Sequence, residues 1–179
     1  MRNLPEKALA YAAVKHEGQL RKYTGEPYIN HPIEVAAIVG GVQHTSSMLA
    51  AAYLHDVVED CDVTIEEIEE EFGPIVSSYV AGLTDVSIPE DGNRKLRKAL
   101  DREHLATQLP AVQTIKLADL ISNSSSIVGR DPKFAKVYMQ EMEELLKVLE
   151  AGDTVLWGRA YEVIDEYKYK EKTNENIHQ

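Results

Sequence analysis

Every apolar run in this chain recurs at intervals of three and four residues, and none alternates apolar with polar convincingly. Such a pattern specifies helices whose apolar stripes face one another, not a sheet. Residues 4–17 place Leu4, Ala8, Tyr11, Ala12 and Lys15 at helical spacing, with Pro5 near the start, where proline is tolerated. Residues 18–30 hold two glycines and one proline and predict a loop. A second helix starts at Asn30-His31-Pro32, with Asn30 or His31 as its expected cap and Ile33, Ala36, Ala37 and Gly40 following at helical spacing. Residues 45–60 predict a helix opened by Thr45 and apolar nearly all round until His55, and therefore central and buried. Thr64 and Glu67 match a capping box for a helix ending at Phe72. Further helices are expected over 74–84, 94–107, 111–127, 132–150 and 154–169, with a loop over 85–93. Asp131-Pro132 and Gly152-Asp153 separate the last three. The reading is all-α: a compact helical bundle, one domain over 1–170, with a polar tail over 171–179 that is expected to fray.

Charge and composition narrow the function. The chain has 19 Lys+Arg against 30 Asp+Glu, a net charge of −11. That balance argues against broad nucleic-acid binding, which needs a basic face. No apolar run approaches the roughly 18 residues of a membrane span, and charges interrupt the start where a signal peptide would be apolar. No nucleic-acid or membrane partner is therefore expected. The single cysteine, Cys61, excludes an internal disulfide and suits a reducing, cytoplasmic setting. It reads as a small packing residue.

The chemistry concentrates in Tyr53-Leu54-His55-Asp56-Val57-Val58-Glu59-Asp60. Adjacent His and Asp on a helix point about 100° apart and can still converge on an ion between them. Glu59 returns to the same face as His55 and Asp56, and Asp60 is four residues after Asp56. Four ionisable groups directly after an apolar stretch are costly unless paired or metal-bound. As the end of one helix, these carboxylates would also oppose its macrodipole, so something else must favour them. His31 at the mouth of the preceding helix and Asp119 in an apolar helical setting complete a set drawn from three helices, with Asn123 on the face of Asp119. One basic run, Asn93 to Arg102, carries five positive charges (Arg94, Lys95, Arg97, Lys98, Arg102) and one negative, Asp101. It reads either as a solvated face or as a clamp for a multiply charged anion.

These residues resemble the metal signature of the HD-domain phosphohydrolases. RKYTGEPYINHP at 21–32, YLHDVVED at 53–60, FGPIV at 72–76, LTD at 83–85 and KLADLISN at 116–123 are similar to the hydrolase domain of the RelA/SpoT enzymes, and most of all to the stand-alone small alarmone hydrolases. The resemblance implies an all-helical enzyme with one divalent metal, typically Mn2+, held by His31, His55, Asp56 and Asp119. Independently, imidazole and carboxylate without thiolate suit manganese, iron or zinc. It also implies hydrolysis of the 3′-pyrophosphate of a (p)ppGpp-type nucleotide. Glu59 and Asp60 match the family's catalytic carboxylates, Arg21 and Lys22 its base-binding pair, and Asn123 its asparagine near ribose and metal. Many relatives carry a basic residue where this chain has Ser125, a departure from the family pattern at the phosphate contacts that the resemblance implies. The adenosine alarmones, NADPH 2′-phosphate, a nucleoside monophosphate and a non-catalytic nucleotide-binding domain stand as alternatives. A C-terminal helix bearing Leu156, Trp157, Tyr161 and Ile164 serves the core or a homo-oligomer face, with core packing favoured.

Overall fold

The structure is a computed structural model and describes residues 3–177, with the side chains of 3–173. Ten helices follow in chain order: α1 Leu4–Lys15, α2 Asn30–Gly40, α3 Ser46–Leu54, α4 Val57–Asp60, α5 Ile65–Phe72, α6 Pro74–Leu83, α7 Arg94–Ala106, α8 Pro110–Arg130, α9 Pro132–Leu146 and α10 Thr154–Ile177. No strand occurs among the described residues; Leu20 and Pro27 form one isolated bridge in the first loop. The all-α expectation holds. None of the described helices is long and apolar enough to cross a membrane.

Local chemistry sets most of the helix starts. Asn3 and Glu6 form a reciprocal capping box on α1, with Pro5 in its first turn. Thr45 accepts from the Met48 N–H and opens α3. Thr64 accepts from the Glu67 N–H, so one half of the expected box is present. Asp131 and Asp153 cap α9 and α10 through the backbone N–H groups of Phe134 and Leu156. At α2 the expectation fails. Asn30 and His31 already lie inside the helix, Ile29 precedes it, and no side chain caps it. His31 is turned inward instead.

The core is built around α3 and α8. Ala50, Ala51, Ala52 and Leu54 of α3 have no exposed surface, and the small alanines let α1, α2 and α6 pack against it. In α8, Val112, Ile115, Leu117, Ala118 and Leu120 are buried, against α2, α6, α9 and α10. Each large side chain among them contributes on the order of 1.5–3 kcal/mol by leaving water. Gly152 lies in the turn before α10. A Cβ there would sit 2.7 Å from Leu117 Cδ1 and 3.2 Å from the Gln113 backbone, so the turn needs glycine to press onto α8.

Several boundaries differ from expectation, with α8 running to Arg130 rather than 127 and α9 ending at Leu146 rather than 150. The helix expected over 45–60 is interrupted at His55-Asp56, leaving α4 as a single turn. The macrodipole objection to Glu59 and Asp60 therefore lapses, because they do not end a long helix. The last helix also continues past its expected end at 169: α10 runs to Ile177. Its Lys and Glu residues are good helix formers, and the Lys170–Glu166 pair at 3.5 Å adds i,i+4 support without burial. Residues 178–179 of the expected tail lie outside the described residues. On α10, Leu156 and Ile164 are buried and Trp157 donates to the Leu146 carbonyl, whereas Tyr161 faces solvent.

Candidate functional site

His31 opens α2, His55 and Asp56 occupy the break between α3 and α4, and Asp119 lies midway along α8. Packing of α2, α3 and α8 against one another brings the four together. His31 Nε2 is 3.1 Å from Asp119 Oδ1 and 3.5 Å from Asp56 Oδ2. His55 Nε2 is 3.1 Å from Asp56 Oδ2 and 3.7 Å from Asp119 Oδ1. Donor atoms of His31, His55 and Asp56 all lie within 4.8 Å of one another. Both histidines and Asp119 are buried, and Asp56 is half-buried.

The orientation of these groups suits a cation. His55 Nδ1 lies 2.9 Å from the Ala52 carbonyl, which only accepts, so the proton belongs on Nδ1 for that bond. Its Nε2 is buried and has no aligned hydrogen-bond partner, despite the nearby carboxylates. An orphaned imidazole nitrogen converging with two carboxylates is what a divalent ion satisfies. Electrostatics agree. Burial works against charge on His55, but Asp56 and Asp119 outweigh it and push its pKa well above the ordinary value. Burial would raise Asp56 and Asp119. The imidazoles hold Asp56 below the usual carboxylate range, and Lys116 with the imidazoles does so for Asp119.

A shell of further side chains fixes this centre. The Tyr28 hydroxyl donates to Asp56 Oδ2 at 2.6 Å. Burial and the Asp56 charge raise the phenol pKa, so Tyr28 keeps its proton. Lys116 Nζ donates to Asp119 Oδ2 at 2.9 Å, and Asn123 Nδ2 to Oδ1 at 2.6 Å. Tyr28 is not among the site residues that the sequence pattern marks. Its position three residues before His31 is the signal that could have marked it.

Glu59 and Asp60 stand beside the centre. Glu59 Oε1 accepts from the backbone N–H of Asp85 at 2.6 Å. Protein crowds the carboxyl although it keeps access to solvent, and this desolvation, with the Asp85 charge, lifts its pKa to about 7. Asp60 is exposed and accepts from Gln19 Nε2 at 2.9 Å.

A cavity of about 920 Å3 opens next to Asp119 and Asn123. Arg94, Lys95, Lys98 and Arg102 line it from α7, and Lys116 from α8. Arg97 does not line it. It departs from the other four because its place on α7 turns it to another face. Three of the five lining cations are engaged, Lys116 with Asp119 and two from α7. Arg94 pairs in a fork with Glu141 at 2.7 and 2.8 Å, and Lys98 pairs with Asp85 at 2.6 Å and Asp101 at 3.3 Å. Arg21 and Lys22 lie in the first loop and do not line the cavity. That loop is closed by hydrogen bonds between Arg21 and both Gly25 and Glu26, with Gly25 at φ 72°. Arg21 donates to Ser126 Oγ at 3.1 Å, and Lys22 Nζ is 5.0 Å from the Tyr23 ring centre. Ser125 points its hydroxyl back to the Ser122 carbonyl at 2.8 Å.

Comparison with known proteins gives this geometry a family. The model of the HD domain matches residues 8–149. A Xenopus tropicalis protein named guanosine-3′,5′-bis(diphosphate) 3′-pyrophosphohydrolase MESH1 is 36% identical over 162 residues, covering 85% of this chain and 88% of that one. A Synechocystis protein named probable guanosine-3′,5′-bis(diphosphate) 3′-pyrophosphohydrolase is 32% identical over 92% of this chain, which spans only 22% of that longer protein. Among solved structures, one described as a metazoan ortholog of SpoT that hydrolyzes ppGpp superposes with a TM-score of 0.82, at 30% identity, covering 93% of this chain and 96% of that one. The matched range spans the positions of His31, His55, Asp56 and Asp119, and the chain belongs to the HD-domain family.

Proposed function

We propose that this chain hydrolyses the 3′-pyrophosphate of a guanosine alarmone of the (p)ppGpp type, releasing pyrophosphate and the nucleoside 5′-phosphate. One observation carries the proposal: a centre of two imidazoles and two carboxylates borders a cavity lined by five cations, on a chain of net charge −11. Six carboxylates line the same cavity, but Lys95 and Arg102 form no ion pair among the described residues, and two such cations on one helix suit a small, multiply charged anion rather than a polymer that tracks an extended basic face. The names of the relatives support the same chemistry.

In this reading His31, His55, Asp56 and Asp119 hold one divalent ion, with Mn2+ the proposed metal. When bound, it makes a water molecule acidic enough to act as nucleophile near neutral pH. Glu59, with a pKa of about 7, takes the proton from the attacking water. Asp60 is proposed to assist from the adjacent position. The water oxygen forms a bond to the phosphorus attached to the 3′ oxygen. The bond from that phosphorus to the 3′ oxygen breaks, and the ribose keeps the 3′ oxygen, which becomes a hydroxyl by taking up the proton that Glu59 received from the water. Arg94, Lys95, Lys98 and Arg102 hold the phosphates, and Asn123 orients the ribose beside Asp119. Arg21 and Lys22 flank the base from the first loop, where an Arg face can stack on it. Arg97 is left outside this clamp. The lone thiol, Cys61, supports a reducing, cytoplasmic setting.

A product assay tests the proposal. The protein is incubated with Mn2+ and, separately, with ppGpp, ppApp and NADPH, with Asp56→Ala as control. Pyrophosphate from ppGpp, absent in the control, is the expected result. Pyrophosphate from ppApp alone would change the base. Orthophosphate from NADPH, with no pyrophosphate from either alarmone, would overturn the reading in favour of another phosphohydrolase.

A further inference from the structure

His31 is the one metal-ligand candidate whose outer nitrogen meets a side chain rather than the backbone. Its Nδ1 lies 3.0 Å from Ser122 Oγ on α8, and that contact is buried. Ser122 Oγ in turn donates to Glu34 Oε2 at 2.8 Å. Glu34 stands one turn after His31 on α2 and reaches solvent, whereas His31 and Ser122 are 2% and 1% exposed. A three-member chain therefore runs from the buried centre to the surface.

The hydrogen bonds along this chain place one proton. A carboxylate offers only lone pairs, so the single hydroxyl proton of Ser122 is committed to Glu34. Ser122 Oγ can then meet Nδ1 only as an acceptor, which places the imidazole proton on Nδ1. In the neutral imidazole that a metal ligand must be, Nε2 is then left with its lone pair toward Asp119 and Asp56, where an ion would lie. We propose that Ser122 and Glu34 are positioning residues that lock His31 in its metal-binding tautomer and ring orientation. The inference rests on the reading of His31 as a metal ligand. The chain also staples α2 to α8, so the ligand and the helix bearing Asp119 are held in one register.

Hydrogen-bonding partners behind a metal-bound histidine are commonly worth about 10–100-fold in metal affinity. The test is Mn2+ binding to the metal-free full chain, measured by calorimetry. Ser122→Ala is expected to weaken binding by about 10–100-fold, and Glu34→Ala to weaken it as well. Ser122→Thr, which keeps the hydroxyl, is expected to restore wild-type affinity. Nitrogen NMR of the Zn2+-loaded protein supplies a readout independent of affinity. The His31 Nδ1 proton, held by Ser122 Oγ, should persist against solvent exchange in the wild type and exchange faster in Ser122→Ala. Wild-type Mn2+ affinity in a folded Ser122→Ala variant overturns the inference and leaves the metal centre standing. Absence of Mn2+ and Zn2+ binding by the wild type overturns the metal centre itself.

Discussion

The backbone N–H of Asp85 meets Oε1 of Glu59 at 2.6 Å, while the carboxylate of the same Asp85 repels it. The N–H fixes the direction of the Glu59 side chain. Desolvation and the Asp85 charge raise its pKa, the N–H and Lys116 lower it, and the balance comes out at about 7. A carboxylate poised there can take a proton near neutral pH and give it back.

Glu59 should therefore set the acid limb of the reaction. The rate rises as pH passes through the Glu59 midpoint, at or below about 7, because a bound cation pulls the midpoint down. Glu59→Gln should cost about 10²–10⁴-fold in kcat, keep metal binding and flatten the acid limb. The folded-state pKa is raised above the ordinary 4.5, so the protonated form is favoured in the native protein. Its stabilising contribution is full below pH 4.5 and is lost as pH rises through about 7. Melting curves of metal-free wild type and Glu59→Gln across that window should diverge in this sense.

Asp101 governs Glu59 from a distance. It is 4% exposed and accepts from the N–H groups of Val86 and Ser87 at 3.2 and 2.9 Å and from Ser87 Oγ at 3.1 Å. These bonds pin the loop whose Asp85 N–H orients Glu59. Ser87→Ala removes one of them and should cost about 0.5–1.5 kcal/mol in denaturant unfolding. Asp101→Ala should cost more, lower kcat and leave Mn2+ affinity unchanged. A fall in Mn2+ affinity equal to the fall in kcat would contradict this route.

Lys95 and Arg102 line the cavity and form no ion pair among the described residues. They are the cations most available to a phosphate. Replacing either with alanine should raise KM roughly tenfold, the scale of one charge-assisted hydrogen bond of about 1.5 kcal/mol, with kcat little changed. Steady-state kinetics over a range of ionic strength should also show a weaker salt dependence of kcat/KM in the double variant.

Gly152→Ala probes the seam between the turn and α8. The added methyl meets Leu117 Cδ1 at 2.7 Å and backbone atoms of Gln113 and Thr114 at 3.2 Å. Overpacking of this kind should cost about 1–3 kcal/mol, read as a lower denaturation midpoint with the unfolding slope retained.

Much of this protein was legible residue by residue. Helical periodicity, Thr45, Asp131-Pro132 and Gly152-Asp153 are local signals, and local backbone preferences obey them. The same holds for the candidate ligands, because His31, His55-Asp56 and Asp119 each sit in a short distinctive run. Spacing along one helix could not reveal the interruption at His55-Asp56, where side chains drawn toward α2 and α8 outweigh continuation of the helix. Nor could it separate Arg97 from its four neighbours, since all five share one basic run and only the packing of α7 turns four toward the cavity. Tyr28 on Asp56, Asp85 on Glu59 and Ser122 between His31 and Glu34 are contacts between residues 26 to 91 positions apart, with Ser122 also 88 from Glu34. Sequence determined which groups could ionise, donate or ligate. Tertiary structure alone decided which of them meet, because a hydrogen bond or a shared cation depends on ångström-scale distance and direction, and these arise only when separate helices pack.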